Sequence, residues 1–186
     1  MDATRRTLCI ALTLAPLAPA LGQAQVAGLP IVGMRHDGRP LAPEELRGWR
    51  LVYFGYTRCP DVCPAGLQSM TDAIEALGPL GQGFTPIFVT VDPERDTVEI
   101  MRDYVAFFHP RFIGVTPTLA QLETMAPAWR VKYAKADAGD GKPYLVDHTA
   151  TIFLVDPAGA IAGRLSHSLD GQQIAAKIRA VIGARS

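Results

Sequence analysis

Apolar and polar positions along this chain follow two rhythms that exchange places: short apolar runs of strand length, and longer stretches with a period near 3.6. Arg50-Leu-Val-Tyr-Phe-Gly55 and Phe84 to Val91 predict buried strands. Thr149 to Val155 and Ala160 to Leu165, joined across Asp156-Pro-Ala-Gly159, predict a hairpin. Between these runs lie helical faces. Leu67, Met70, Ile74 and Leu77 recur at helical spacing within residues 64 to 78, and Gly78-Pro79 marks the stop. Asp96 followed by Glu99 predicts a helix start before Met101 to Phe108, because such side chains satisfy the free N–H groups of a first turn. Thr118 to Met125, and a stretch from Asp170 through Ile174, Ile178 and Ile182, are two further helices. Pro30 to Arg35 and Arg39 to Leu41, turned at Asp37-Gly38, predict a small leading hairpin. Lys135 to Val146 is rich in Gly, Asp and Ala, has no period, and predicts a surface loop.

Strand, cysteine-bearing loop, helix, strand, helix, hairpin, helix is the order of an α/β, thioredoxin-like domain with a leading hairpin and an inserted surface loop. It sets the loop from Cys59 to Cys63 at the carboxyl end of a strand, where open α/β sheets bind ligands.

A different pattern stands ahead of the domain. Arg5 and Arg6, the apolar run Leu8 to Leu21, and small residues through Gly22 and Ala24 read as a targeting segment over residues 1–24, leaving 25–186 as the folded domain. The apolar run is about 14 residues long and contains Pro16 and Pro19, whereas a spanning helix needs roughly 20 residues. Export to the periplasm with cleavage is therefore expected, with retention as an inner-membrane anchor the alternative. Arg5-Arg6 within Thr4 to Leu8 also resembles a twin-arginine export signal. Without residues 1–24 the 18 basic and 18 acidic residues become 16 and 17, since Asp2, Arg5 and Arg6 leave. A nearly neutral protein with no basic tract is not expected to bind nucleic acid or an anionic membrane surface.

Of three cysteines, Cys9 lies in the leading segment, so the domain's sulfur chemistry sits in Gly55-Tyr-Thr-Arg-Cys59-Pro60-Asp61-Val62-Cys63-Pro64. Pro60 disfavours helix at Cys59 and Pro64 suits a first turn, so the helix is expected to begin at or just after Cys63. A positive helix end with Arg58 nearby favours a thiolate there. A structural disulfide across so short a loop would stabilise by only about 2 kcal/mol. Two unrelated buried cysteines do not account for the flanking prolines. Dithiol oxidoreductases of this fold commonly place two residues between the cysteines, and this chain has three, which alters the geometry of exchange without forbidding it. Two soft thiolates suit Cu(I), whereas structural zinc wants four protein ligands.

Copper then calls for a third ligand. His36 lies in a turn, His109 precedes Pro110 at a helix end, and His167 sits near a strand end, all structural settings. His148, between Asp147 and Thr149, falls in the segment entering a central strand, which packs against the cysteine loop in this topology. Its imidazole would complete a trigonal site, with Asp61 or Asp147 either orienting it or serving as ordinary turn and capping residues.

Tyr53-Phe-Gly-Tyr-Thr-Arg-Cys-Pro-Asp-Val-Cys-Pro64, Val91-Asp-Pro-Glu-Arg-Asp-Thr97, Phe108-His-Pro-Arg-Phe-Ile-Gly114 and Asp147-His-Thr149 together resemble the Sco/SenC family of copper chaperones. The resemblance spans nearly the whole chain after the leading segment. It implies copper ligation by Cys59, Cys63 and His148, and delivery of copper to, or reduction of the cysteines of, the binuclear copper site in the copper-accepting subunit of cytochrome c oxidase. Members are often tethered by an N-terminal helix, for which Pro16 and Pro19 are poorly suited. Pro117 and Thr149 stand where Gly and Ser are common in relatives. The residues thus leave a metallochaperone, not an enzyme, beside a thiol-disulfide reductase in which Cys59 or Cys63 attacks and the other resolves. Peroxide reduction has less support, since no resolving cysteine remains outside the pair.

Overall fold

The computed structural model describes residues 28–139 and 141–184. The expected export signal or anchor, with Cys9, lies outside them. No helix among the described residues is long and apolar enough to cross a membrane.

The strand β2 (Trp49–Gly55) pairs in parallel with β3 (Phe84–Thr90), Tyr53 beside Phe88 and Gly55 beside Thr90. Beyond β3 lies parallel β4 (Ile113–Thr116), and beyond that antiparallel β1 (Met34–Arg35). On the other side of β2 run antiparallel β7 (Thr151–Val155) and β8 (Ile161–Ser166), giving the order β1-β4-β3-β2-β7-β8. A separate two-stranded ribbon joins β5 (Tyr133–Ala136) to β6 (Leu145–His148).

β2 reads as a continuous apolar run because both faces of the sheet are covered. Tyr53 stacks beside Phe88 on the face packed by α1 (Val62–Ala76) and α2 (Val98–Phe108). Phe54 points the other way, to Trp129 at the end of α3 (Leu119–Trp129) and to Phe153, with ring centroids 5.4 and 6.1 Å away. The last helix, α4 (Gly171–Gly183), packs on α1 and is capped by Asp170, which accepts from the Gln173 N–H at 2.8 Å.

Several expectations are refined. The leading hairpin is short, one bridge from Met34 to Pro40 with the Arg35 and Leu41 N–H groups donating to the Arg39 and Gly33 carbonyls at 2.8 and 3.0 Å, while the other edge of β1 pairs with β4. β4 itself has only four residues and no periodicity to announce it. The expected loop Lys135 to Val146 contributes its two ends to the β5–β6 ribbon, and only residues 137–144 connect them. Thr97 rather than Asp96 caps α2, and α3 runs past Met125 through Pro127 to Trp129.

Candidate metal centre

β2 ends at Gly55, and the next six residues turn into α1. Asp61 is the residue before the helix, though its side chain makes no capping bond, and Val62 opens the helix one residue earlier than expected. Cys59 therefore sits on the loop and Cys63 in the first turn of α1. The Cys63 N–H donates to Cys59 Sγ at 3.4 Å. Glycine at position 55 is required by this approach: a Cβ there would lie 2.8 Å from Cys63 Sγ and 2.9 Å from Phe88 Cε2.

His148 arrives from the other direction, as the last residue of β6, paired with Tyr133. Its Nε2 stands 3.2 Å from Cys63 Sγ, and the ligand atoms of Cys59, Cys63 and His148 all lie within 4.8 Å of one another. Tyr53 and Tyr56 flank the imidazole edge-on, with centroids 6.0 and 5.8 Å away, so the ring is held by aromatic walls. Its Nδ1 is buried and has no hydrogen-bond partner. Neither Asp61 nor Asp147 orients it; both side chains are exposed. The turn that follows is held instead by His167, whose Nδ1 donates to the Ala150 carbonyl at 2.9 Å. His36 and His109 are acceptors for the N–H groups of Gly114 and Arg111, at 3.0 and 3.1 Å, and take no part in the cluster.

The two sulfurs are not equivalent. Hydrogen bonding from Cys63, aided by His148 and the loop N–H groups, outweighs burial and pulls the Cys59 thiol down to about 4. The same bond, seen from the donor, joins complete burial to push Cys63 strongly upward. This reverses the expectation that the helix end would make Cys63 the thiolate. The helix-end field is weaker than the loss of water and the charge of Cys59 next to it. Hydrogen bonding thus favours the thiolate at Cys59, and burial favours the thiol at Cys63.

Asp96 anchors the loop that carries the cysteines. It is fully buried, accepts the Thr57 N–H at 2.9 Å, and accepts the hydroxyls of Thr57 and Thr90, each at 2.6 Å. Burial pushes its carboxyl upward against the pull of these donors. Next to it, Asp92 accepts the Tyr144 hydroxyl at 2.9 Å and pairs with Arg95, whose guanidinium lies 3.6 Å from the centre of the Tyr144 ring and donates to the Tyr144 carbonyl at 2.8 Å. This brace ties the 137–144 connection, and with it the ribbon bearing His148, to the turn after β3. Periodicity gave no sign of either role; the only sequence signal was the run Val91 to Thr97 quoted above.

The SCO1/SenC family model matches residues 21–183. The chain is 37% identical over 171 residues to the mitochondrial SCO2 homolog of Mus musculus, covering 89% of this chain. It spans no more than about two thirds of the length of the curated relatives it matches first, 66% and 61%. Among solved structures, Arabidopsis thaliana ScoI with copper bound superposes with a TM-score of 0.78 at 34% identity, covering 85% of this chain and 99% of that one. Bradyrhizobium japonicum ScoI with copper bound gives 0.73 at 32% identity, covering 83% and 98%.

Proposed function

The chain belongs to the SCO1/SenC family, and from that premise we propose that it is an exported metallochaperone that holds one copper ion and hands it to the binuclear copper site of cytochrome c oxidase. The observation that supports this reading best is the convergence of two sulfurs and one imidazole nitrogen, from three different parts of the fold, within 4.8 Å. That donor set fits Cu(I), which takes soft ligands in low coordination number. The lowered pKa of Cys59 favours the thiolate that a metal needs, and loading displaces the proton that burial favours on Cys63. Cys63 is wholly enclosed while His148 is only half-buried and Cys59 lies at the rim, so an acceptor's ligands approach from the side of Cys59 and His148. Residues 1–24 direct export or anchoring, and the recipient is the copper-accepting subunit of the oxidase.

The lowered pKa of Cys59 also supports the second reading, a thiol-disulfide reductase. Its thiolate attacks a disulfide in the acceptor to give a mixed disulfide and one free acceptor thiol. Cys63, once deprotonated, then attacks Cys59, leaving a Cys59–Cys63 disulfide here and two thiols on the acceptor. His148→Ala separates the two readings. Copper affinity should fall at least tenfold with loss of one of three ligands, while exchange with a small disulfide continues. Parental copper affinity in the folded variant would remove His148 from the site and favour the reductase. In cells lacking the protein, the parent should restore oxidase assembly and His148→Ala should fail under limiting copper.

A further inference from the structure

A cleft of about 510 Å³ opens beside the cysteine loop, with Arg58, the residue before Cys59, in its wall. Three cations line it, and they come from separate parts of the chain: Arg58 from the cysteine loop, Arg95 from the turn after β3, and Lys142 from the connection between β5 and β6. No carboxylate lines it among the described residues. Pro143, Tyr144 and Leu145 complete the wall, and Leu145 is 40% exposed. The cleft stands close to the metal centre. The Arg95 guanidinium lies 5.8 Å from the centre of the Tyr56 ring, whose centroid is in turn 5.8 Å from that of His148.

Backbone hydrogen bonds hold these charges in place. The Cys59 N–H donates to the Tyr56 carbonyl at 3.3 Å and closes the turn that carries Arg58, and the Lys142 N–H donates to the Gly139 carbonyl at 3.0 Å. Arg95 is committed to Asp92 and to the Tyr144 carbonyl. Arg58 and Lys142 are exposed and form no ion pair with a described residue. The chain as a whole balances 18 basic against 18 acidic residues, so this surplus is local. Like charges gathered in one cleft repel, and the fold gains nothing from them, whereas a partner's carboxylates turn the same field into attraction. Both proposed activities bring a partner's sulfurs to Cys59, which sets the residues flanking those sulfurs against Arg58 and the cleft. We infer that the cleft is a docking site for an acidic segment of the copper partner, its carboxylates pairing with Arg58 and Lys142 and an apolar side chain resting on Pro143 and Leu145. The inference rests on the copper reading above and adds the chemical character of the partner's contact surface. Charges at such a rim govern how fast and in which orientation two proteins meet more than how tightly they hold.

The test uses the full reduced chain and three synthetic peptides as probes, each a cysteine pair flanked by glutamates, by serines or by lysines. Initial rates of copper(I) transfer from the loaded protein to each reduced peptide are followed at low and high salt, together with disulfide exchange between the reduced protein and the oxidised peptides. At low salt the glutamate peptide should react about tenfold faster than the serine peptide, and the lysine peptide more slowly than either, with the spread closing at high salt. The ratio of acidic to neutral rates is taken within each variant, so a change in copper affinity or sulfur reactivity cancels. Lys142→Arg should keep the ratio, Arg58→Ser should lower it, and Arg58→Glu/Lys142→Glu should bring it to one or below. Equal rates for the three peptides in the parent, or a ratio undiminished in the double variant, overturns the inference. So does parental binding to phosphatidylglycerol vesicles that depends on Lys142 with no peptide preference, which would make the cleft a lipid contact. A parent that takes up no copper overturns the copper reading instead, while the ratio in disulfide exchange still reports on the cleft, so the two failures are distinguishable.

Discussion

Replacing Asp96 tests whether the cysteine loop is held from beneath by a carboxylate. Asp96→Ala removes the acceptor for three donors, the Thr57 N–H and the hydroxyls of Thr57 and Thr90, in a place closed to water. Each orphaned donor costs about 1–2 kcal/mol, offset by relief from burying a carboxyl group, so a net loss of about 3 kcal/mol is expected. For a domain of this size that lowers the melting temperature by roughly 6–12 °C. Asp96→Asn should cost about 1 kcal/mol, because its one remaining oxygen can replace Oδ2, which serves Thr57 N–H and Thr90, while the Thr57 hydroxyl turns to accept from the amide. Urea unfolding of the reduced protein gives both numbers. The pH dependence has a definite sign. A carboxyl whose folded pKa is raised above 3.8 adds stability below that pH and loses it as pH rises through the folded value. The cost of Asp96→Asn should therefore shrink between pH 4 and neutrality. Equal stability of Asp96→Ala and the parent, or an Asn variant as damaged as the Ala variant, would refute the strut.

The acidity of Cys59 predicts that its alkylation by iodoacetamide stays fast down to about pH 5 and falls with a midpoint near 4, while Cys63 stays unreactive in the folded protein; mass mapping of the alkylated peptides would show a midpoint near 8.5, or Cys63 modified first, if the assignment is wrong. Gly55→Ala should destabilise by about 1–3 kcal/mol and displace Cys63 Sγ, lowering copper affinity; a variant as stable and as tight-binding as the parent would show that the close approach is dispensable. Oxidation to a Cys59–Cys63 disulfide should abolish tight copper binding, since the thiolate charge that forms the metal bond is gone; retention in protein with no free thiol would contradict it.

Strong periodicity made much of the fold legible. β2, β3, the β7–β8 hairpin, α1, α2 and α4 all carry runs or faces set by complete burial of one side or both. β4 escaped because four residues, one of them Gly114, carry too little pattern. β5 and β6 escaped because a ribbon lying outside the main sheet buries little more than Val146, so neither strand alternates cleanly. Asp96 looked like a helix cap because Asp at that spacing commonly is one. Only the three-dimensional approach of Thr57 and Thr90 shows that its carboxylate serves the cysteine loop. The spacing and setting of Cys59, Cys63 and His148 were readable, but their charges were not. Which sulfur loses its proton depends on depth of burial and on who donates to whom, and neither is written in the spacing.

Copper titration of the full reduced chain against a competing Cu(I) chelator bears most directly on the central claim. The parent should bind one copper per chain with loss of the competitor's signal, and Cys59→Ser/Cys63→Ser should bind none under the same conditions. Stoichiometry near zero for the parent, or copper retained by the double serine variant, would contradict a site built from these sulfurs.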